Sequence, residues 1–276
     1  MAESAGSLVW LALQRISRGD RVFDEPFACG PSPVHGLDPR VRLCMAAAFS
    51  VTVAMVRHPG TAAAGLLMAM IALCASLPPK RALLRRVVLV NVFILFLWLT
   101  VPLTMPGETL WTLGAVGVSR EGLELVGMVT LKSNAILLAF LALVASMDSP
   151  TIGHAMARLG VPSKLVFLFL FTYRYVHVIA DEWQRLRTAA RLRGFVPRTD
   201  MRTYATVGHL FAMVLVRSLD RSARVYRAMI LRGFDGRFAS VCRFTIRPRD
   251  GLFVLCGLAA HILMIFMECF AGVLRV

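Results

Sequence analysis

Asp181-x-x-x-Arg185-x-x-x-Ala189-x-x-x-Arg193-Gly194-Phe195 is followed by Asp220-x-x-x-Arg224-x-x-x-Ala228-x-x-x-Arg232-Gly233-Phe234, each matched residue lying 39 positions after its counterpart. Within each copy the Asp, first Arg, Ala and second Arg are four apart, so on a helix they form one slowly drifting stripe. Acid before base at i,i+4 is the favourable order, worth about 0.2–0.5 kcal/mol. The last arginine stands directly before glycine, where a cation meets the negative end of the helix dipole. Glycine supplies the left-handed conformation that closes a helix, and the phenylalanine after it can pack back and fix the exit path. The two copies predict two helices, each ending in a presented arginine at Arg193 or Arg232.

Outward from this pair the chain changes character. Its 276 residues are 57% hydrophobic, with a mean hydropathy of +0.67. A soluble domain of this size does not need so much apolar surface, so an integral membrane protein is expected. A helix needs about 20 apolar residues to cross a bilayer. Five stretches approach or reach that length, at residues 41–56, 61–77, 87–105, 123–147 and 252–270. The first is short, and Arg57-His58-Pro59-Gly60 would join it to the second as a tight hairpin.

The net charge of +15 is read as topology, because cytoplasmic segments carry the Lys/Arg excess. Nucleic-acid binding, which the charge would also suit, lacks interleaved aromatic stacking positions here. Lys80, Arg81, Arg85 and Arg86 place the loop between spans two and three in the cytoplasm. The loop 106–121, with Glu108, Arg120 and Glu121, goes outside. The N-terminus, with Arg40 and Arg42 before span one, goes inside, and the C-terminus outside. The apolar run at residues 8–13 is too short for a signal peptide and is followed by Arg15, Arg18, Asp20 and Arg21.

Residues 165–180 are apolar but contain Arg174 and His177 and have basic flanks. They are expected as an interfacial or protein-packed helix on the cytoplasmic side; a six- or seven-span arrangement, also using 204–216, is the alternative. Pro162 opens this helix, which runs on to Arg193 or breaks near residue 181, and Gly194 and Pro197 stop it. A further helix runs from about Thr203 to Arg232. The expected fold is an all-α integral membrane protein with about five transmembrane helices and a cytoplasmic domain of about three coupling helices. Its parts are an N-terminal cytoplasmic extension (1–36), spans one to four (37–147), the coupling-helix region (148–250) and the last span (251–276).

Some chemistry is missing. No G-x-x-x-x-G-K-[ST] loop is present, so the chain is not expected to bind or hydrolyse ATP. The six cysteines show no C-x-x-C spacing, and Cys44, Cys74, Cys256 and Cys269 in apolar runs read as buried small hydrophobes. The histidines are scattered; His177 and His261, in apolar segments, read as structural, and no metal site is expected. Lys132, Ser133 and Asn134 interrupt the fourth span. Intramembrane polar residues are functional candidates by default, so Lys132 and Asn134 either face a substrate-binding subunit or bond to neighbouring helices. Thr61, Ala62, Ala63, Ala64 and Gly65 permit close helix packing.

An arginine at a helix end suits insertion into a groove of another protein, because its planar fork pairs with carboxylates. The paired Arg-Gly helix ends framed by apolar spans resemble the T component of energy-coupling-factor importers, which are ABC-type transporters. The resemblance is closer to the cobalt/nickel branch, the CbiQ-type proteins. It is carried by Leu37-Asp38-Pro39-Arg40-Val41-Arg42-Leu43 and by the stretch from Ser218-Leu219-Asp220-Arg221-Ser222 to Arg232-Gly233-Phe234-Asp235-Gly236-Arg237-Phe238. It covers residue 37 to the C-terminus; residues 1–36 look like an extension.

This resemblance implies a non-catalytic coupling subunit in a bacterial cell membrane. Arg193 with Gly194 and Ala189 or Ala190, and Arg232 with Gly233 and Ala228, would each dock in a groove of one of two cytosolic ATPase subunits. ATP and Mg would be bound there, leaving no cofactor in this chain. A separate membrane S component would bind the cobalt or nickel ion. The alternative is a stand-alone secondary transporter or channel, which needs polar groups converging at the membrane midplane. The spans offer mainly Lys132 and Asn134 for that purpose.

Overall fold

A computed structural model describes residues 34, 36–106, 108–113, 116–234 and 248–273. The extension up to residue 33, His35, Cys29, Cys242 and the 235–238 end of the second resemblance stretch lie outside them. The described elements are α1 (Pro39–Met55), α2 (Pro59–Ser76), α3 (Lys80–Thr104), β1 (Thr109–Leu113), β2 (Val116–Ser119), α4 (Arg120–Leu143), α5 (Ser149–Arg158), α6 (Ser163–Leu192), α7 (Met201–Leu231) and α8 (Pro248–Val273). The chain divides into two compact units: α6 and α7 form one, and the remaining elements form the other.

The larger unit is a helix bundle. Phe49 and Val53 of α1, Ala62 and Ala69 of α2, Ala135 and Ala139 of α4, and Met264 of α8 are buried together. A second cluster joins Met45 and Ala46 of α1 to Leu73 of α2 and Leu141 of α4. The alanines let α2 and α4 approach closely, which matters because lipid gives no hydrophobic drive for one helix to meet another. The small residues of α2 take this packing role. A Cβ on Gly65 would stand 3.0 Å from Met264 Cε. The outer faces are apolar as well, with Leu89 73%, Leu95 70%, Leu255 67% and Phe266 65% exposed. Acyl chains suit such faces; water does not.

Five described helices have the length and apolar content to cross a bilayer: α2, α3, α4, α6 and α8. Four coincide with expected spans. The first expected span is α1, which has only 17 residues, about 26 Å of helix, with Phe49 and Val53 buried against its neighbours and Val51 and Met55 exposed. In its place α6 qualifies. It is one unbroken 30-residue helix, with no break near residue 181. Its apolar residues are densest in the first half, and Asp181, Glu182, Arg185, Arg187 and Arg191 lie in the second. Region 148–250 contains three helices before α8 begins, but one of them is α5, which the sequence reading did not mark although Asp148 and Pro150 stand at its start. The loop 106–121 holds an antiparallel hairpin, Thr109 opposite Ser119 and Leu113 opposite Val116, with a bulge between Thr109 and Trp111. Cys44, Cys74, Cys256 and Cys269 are free and exposed on the helices instead of buried.

Polar side chains of this unit attach to helix ends and helix contacts. Asp38 caps α1, accepting from Arg40 N at 2.9 Å, and its own N–H donates to Asp250 Oδ1 at 2.8 Å, tying the starts of α1 and α8. Arg40 grips the Asp38 carboxylate through Nε at 3.0 Å and Nη2 at 2.7 Å. Arg42, 2% exposed, donates from Nε to Leu143 O at 3.1 Å and from Nη2 to Ser146 Oγ, where α4 ends. Lys132 Nζ donates to Ala54 O at 3.1 Å in the last turn of α1. Asn91 and Asn134 exchange amide bonds of 3.0 and 3.3 Å between α3 and α4. Trp98 Nε1 donates to Thr130 Oγ1 on the same seam at 3.0 Å. At the other end of α8, Glu268 Oε1 accepts from Arg57 N at 2.6 Å beside the start of α2.

Two outcomes are expected. A Cβ on Gly122 would meet Pro102 Cα at 2.8 Å and Ser119 Oγ at 2.6 Å, whereas one on Gly127 meets nothing within 4 Å. Gly122→Ala should therefore cost about 1–3 kcal/mol through backbone overpacking. Gly127→Ala should be neutral or stabilising, since alanine is the better helix former. Melting in detergent measures both. Arg40 holds the Asp38 carboxyl below its ordinary value of 3.8 by donating hydrogen bonds to it and by its positive charge. With the folded value depressed, the carboxylate contributes fully above about pH 4 and is lost as pH falls through the folded value. Wild type should lose stability on acidification below that point more steeply than Asp38→Asn; equal slopes would contradict it.

Candidate functional site

The smaller unit is a hairpin built around the repeated pattern. α6 and α7 run antiparallel: Phe167 stacks on Phe234 (centroids 6.1 Å), Trp183 stacks on Phe211 (4.6 Å), and Glu182 pairs with Arg217. The 39-residue spacing is the connection 193–200 plus the 31 residues of α7. Arg198 N donates to Thr203 Oγ1 at 3.0 Å and Thr203 N to Asp200 O at 3.0 Å, folding the connection onto the first turn of α7. A cavity of about 490 Å³ opens between the helices, lined by Phe167, Phe171, Tyr175, Val214, Met229 and Phe234 among others, with Glu182 and Arg221 on its wall.

The two helix ends have the same hydrogen bonding. In the first, Gly194 N donates to Arg191 O at 2.9 Å and Phe195 N to Ala190 O at 3.1 Å. In the second, Gly233 N donates to Ile230 O at 2.9 Å and Phe234 N to Met229 O at 3.1 Å. Both are the paired closure in which a left-handed residue turns the chain back over its last carbonyls. The left-handed residue is glycine each time, with φ +83° at Gly194 and +79° at Gly233. Arg193 and Arg232 are the capping residues, with φ/ψ of −87°/14° and −93°/10°. Their guanidinium groups are exposed and form no ion pair among the described residues. The superposable caps align Ala189 with Ala228, so Ala190 is the counterpart of Met229.

Because the hairpin is antiparallel, Arg193 lies at its turn and Arg232 at its opposite end. The 31 residues of α7 separate them by about 45 Å. One groove cannot hold both.

Not every expected feature is present. Asp181, Arg185, Asp220 and Arg224 are exposed and form no i,i+4 ion pairs. The hairpin's ion pair is instead Glu182–Arg217. Lys132 and Asn134 bond to neighbouring helices. His261 donates Nδ1–H to Gly257 O at 2.6 Å and meets the Phe49 ring edge-on; His177 meets Tyr173 edge-on. No group of three His, Cys, Asp or Glu able to hold a metal ion occurs among the described residues.

The sequence reading passed over one pair. Leu192 and Leu231 precede the two arginines and are 85% and 88% exposed. They too are 39 apart, so the spacing that revealed the repeat marks them as well.

The family described as "Cobalt transport protein", CbiQ, matches residues 30–241, a span that includes α1 to α7 and both Arg-Gly ends. The chain belongs to the CbiQ family. It is 26% identical over 255 residues to the energy-coupling factor transporter transmembrane protein EcfT of Acidaminococcus fermentans, covering 87% of this chain and 94% of that protein. The EcfT protein of Heliobacterium modesticaldum is 26% identical over 223 residues, 75% of this chain and 82% of its own length. The cobalt transport protein CbiQ of Rhodobacter capsulatus is 27% identical over 121 residues, 44% of this chain and 49% of its own. The chain is thus a multi-pass membrane subunit of an energy-coupling-factor transporter, a T component of the cobalt type.

The caps themselves can be tested. An L-residue at a left-handed position costs about 1–2 kcal/mol, so Gly194→Ala or Gly233→Ala should loosen its helix end. Hydrogen exchange at the Phe195 or Phe234 amide should accelerate several-fold. Gly208→Ala, inside α7 with open space around it, should leave both amides unchanged.

Proposed function

We propose that this chain converts closure of two cytosolic ABC-type ATPase subunits into movement of a separate substrate-binding membrane subunit, driving uptake of a transition-metal ion. The carrying observation is the duplicated Arg-Gly end, the same closure at the two far ends of one hairpin. Two equal tips about 45 Å apart suit two equal grooves, one on each ATPase subunit. Each cap fixes the backbone at the arginine, while the guanidinium stays free to pair with a groove carboxylate. ATP and Mg2+ belong to those subunits, and this chain contributes force transmission, not catalysis. No nucleic acid takes part.

The proposed topology places the N-terminus and the α6–α7 hairpin in the cytoplasm, following the Lys80, Arg81, Arg85 and Arg86 loop. The family description and the Rhodobacter relative's name favour cobalt as the substrate, with nickel as the alternative. Specificity would lie in the substrate-binding subunit. A stand-alone carrier is the competing reading; it is weakened because Lys132, Asn91 and Asn134 are engaged in helix–helix bonds.

Arg193→Glu and Arg232→Glu in the tagged full chain, expressed with its genomic neighbours, test the proposal. Each should reduce ATPase co-purification and metal uptake at least tenfold, as expected when a charge partner worth about 2–5 kcal/mol is removed. The membrane bundle should still melt as in wild type. Normal ATPase recovery and uptake in both variants, or uptake by this chain alone in liposomes, would favour the stand-alone carrier.

A further inference from the structure

We propose that Leu192 and Leu231 are apolar anchors beside the two arginines, and that each partner groove therefore combines an apolar socket with its carboxylate. This rests on the coupling reading above and names the chemistry of the surface that receives each tip.

A residue that recurs at both tips has either a structural role there or an external one. Gly194 and Gly233 recur because φ is positive. Phe195 and Phe234 follow the closure; Phe195 is half-buried, and Phe234 also stacks on Phe167. At the other positions of the last turn the copies diverge: Ala190 faces Met229 in the alignment, and Arg191 faces Ile230. Ala189 and Ala228 also recur and are exposed, but a methyl group offers a partner little surface; the larger side chains that recur without a structural role are those of the dipeptide Leu-Arg. Its leucines are 85% and 88% exposed. A single exposed leucine needs no explanation. Two at the same position of two matched caps, each adjacent to an unpaired arginine, form a repeated amphipathic tip.

Geometry links the two side chains. Their Cα atoms are about 3.8 Å apart, and the paired closure fixes the backbone that carries them. Consecutive helical side chains diverge, so a groove covers both only if it receives the whole helix tip, as the proposed groove does. Charge complementarity then defines the partner: a protein surface with a carboxylate for the arginine and an apolar recess next to it. The leucine supplies area freed from water, and the arginine supplies direction.

The test uses the full chain in lipid nanodiscs, titrated with the purified ATPase subunits encoded beside it. Leu192→Ala with Leu231→Ala should weaken binding at least tenfold, mostly through faster dissociation, with the salt dependence unchanged. Arg193→Gln with Arg232→Gln should weaken binding and flatten its salt dependence. Leu192→Met with Leu231→Met should restore affinity to within about threefold of wild type. All variants should melt as wild type does, because the leucines are exposed. Binding of the double alanine variant within twofold of wild type, while the arginine variants dissociate, would overturn the anchor and leave the coupling reading standing. Normal binding by the arginine variants would instead remove the coupling reading. A lowered melting point in the double alanine variant, not rescued by methionine, would assign the leucines to the fold and overturn the anchor.

Discussion

An α-helix ends with carbonyls and begins with amides that have no partner of their own, and near lipid such groups cannot rely on water. Much of the buried polarity in this chain answers that constraint. Asp38 receives the first amides of α1 and links them to the start of α8 through Asp250. Arg42 covers the last carbonyls of α4, where the negative end of the dipole favours a cation. Lys132 does the same at the end of α1, and Glu268 meets the amide before α2. These side chains come from elements far apart in sequence, so each capped end also fixes the position of a neighbour. In a bundle whose apolar surface gives little preference between protein and lipid, such bonds and the alanine contacts of α2 with α4 define which helix sits beside which.

The hairpin meets the same constraint locally. Its C-terminal carbonyls are covered by the chain's own backbone, turned over by Gly194 and Gly233. No other side chain is needed, so Arg193 and Arg232 are left unoccupied. A helix end capped by a distant arginine, as α4 is, consumes the guanidinium; one closed by glycine presents it. That difference separates the residues that hold the bundle together from those available to a partner.

It also explains what could be read from the sequence. Signals confined to a few neighbouring residues were legible: the Arg-Gly ends, Pro162 before α6, and the long apolar stretches of α2, α3, α4 and α8. Features that depend on contacts between distant segments were not. α5 is short and gains its place from packing. The β1–β2 hairpin has no Asn-Gly or Asp-Gly pair to announce it, only Gly114-Ala115 between its strands. The Glu182–Arg217 pair joins two helices, so the i,i+4 spacing of Asp181 with Arg185 drew attention to a neighbouring acid. The cysteines, assigned to the interior by their apolar surroundings, lie on outer faces because in a membrane bundle the apolar side of a helix is its lipid side. Leu192 and Leu231 were legible and overlooked: a leucine in a helix looks like core until its exposure is known.

The hairpin's construction bears on how it would transmit force. Glu182–Arg217 lies between the two tips, Trp183–Phe211 lies beside it, and Phe167–Phe234 closes the far end. With cross-links distributed along it and tips fixed by backbone bonds, the hairpin is braced to act as one body under the proposed coupling. Under the proposed coupling, the two grooves would act on its opposite ends. Motion of one ATPase subunit relative to the other would then appear as rotation of the whole body, with little lost to bending. A flexible connection between the tips would absorb the same motion and pass nothing on. The connection 193–200 is the natural place for such a loss, and there Thr203 and Asp200 tie the loop to the first turn of α7. Under that coupling, the duplicated caps and the braced hairpin between them would meet a single mechanical requirement: two fixed points on one rigid element.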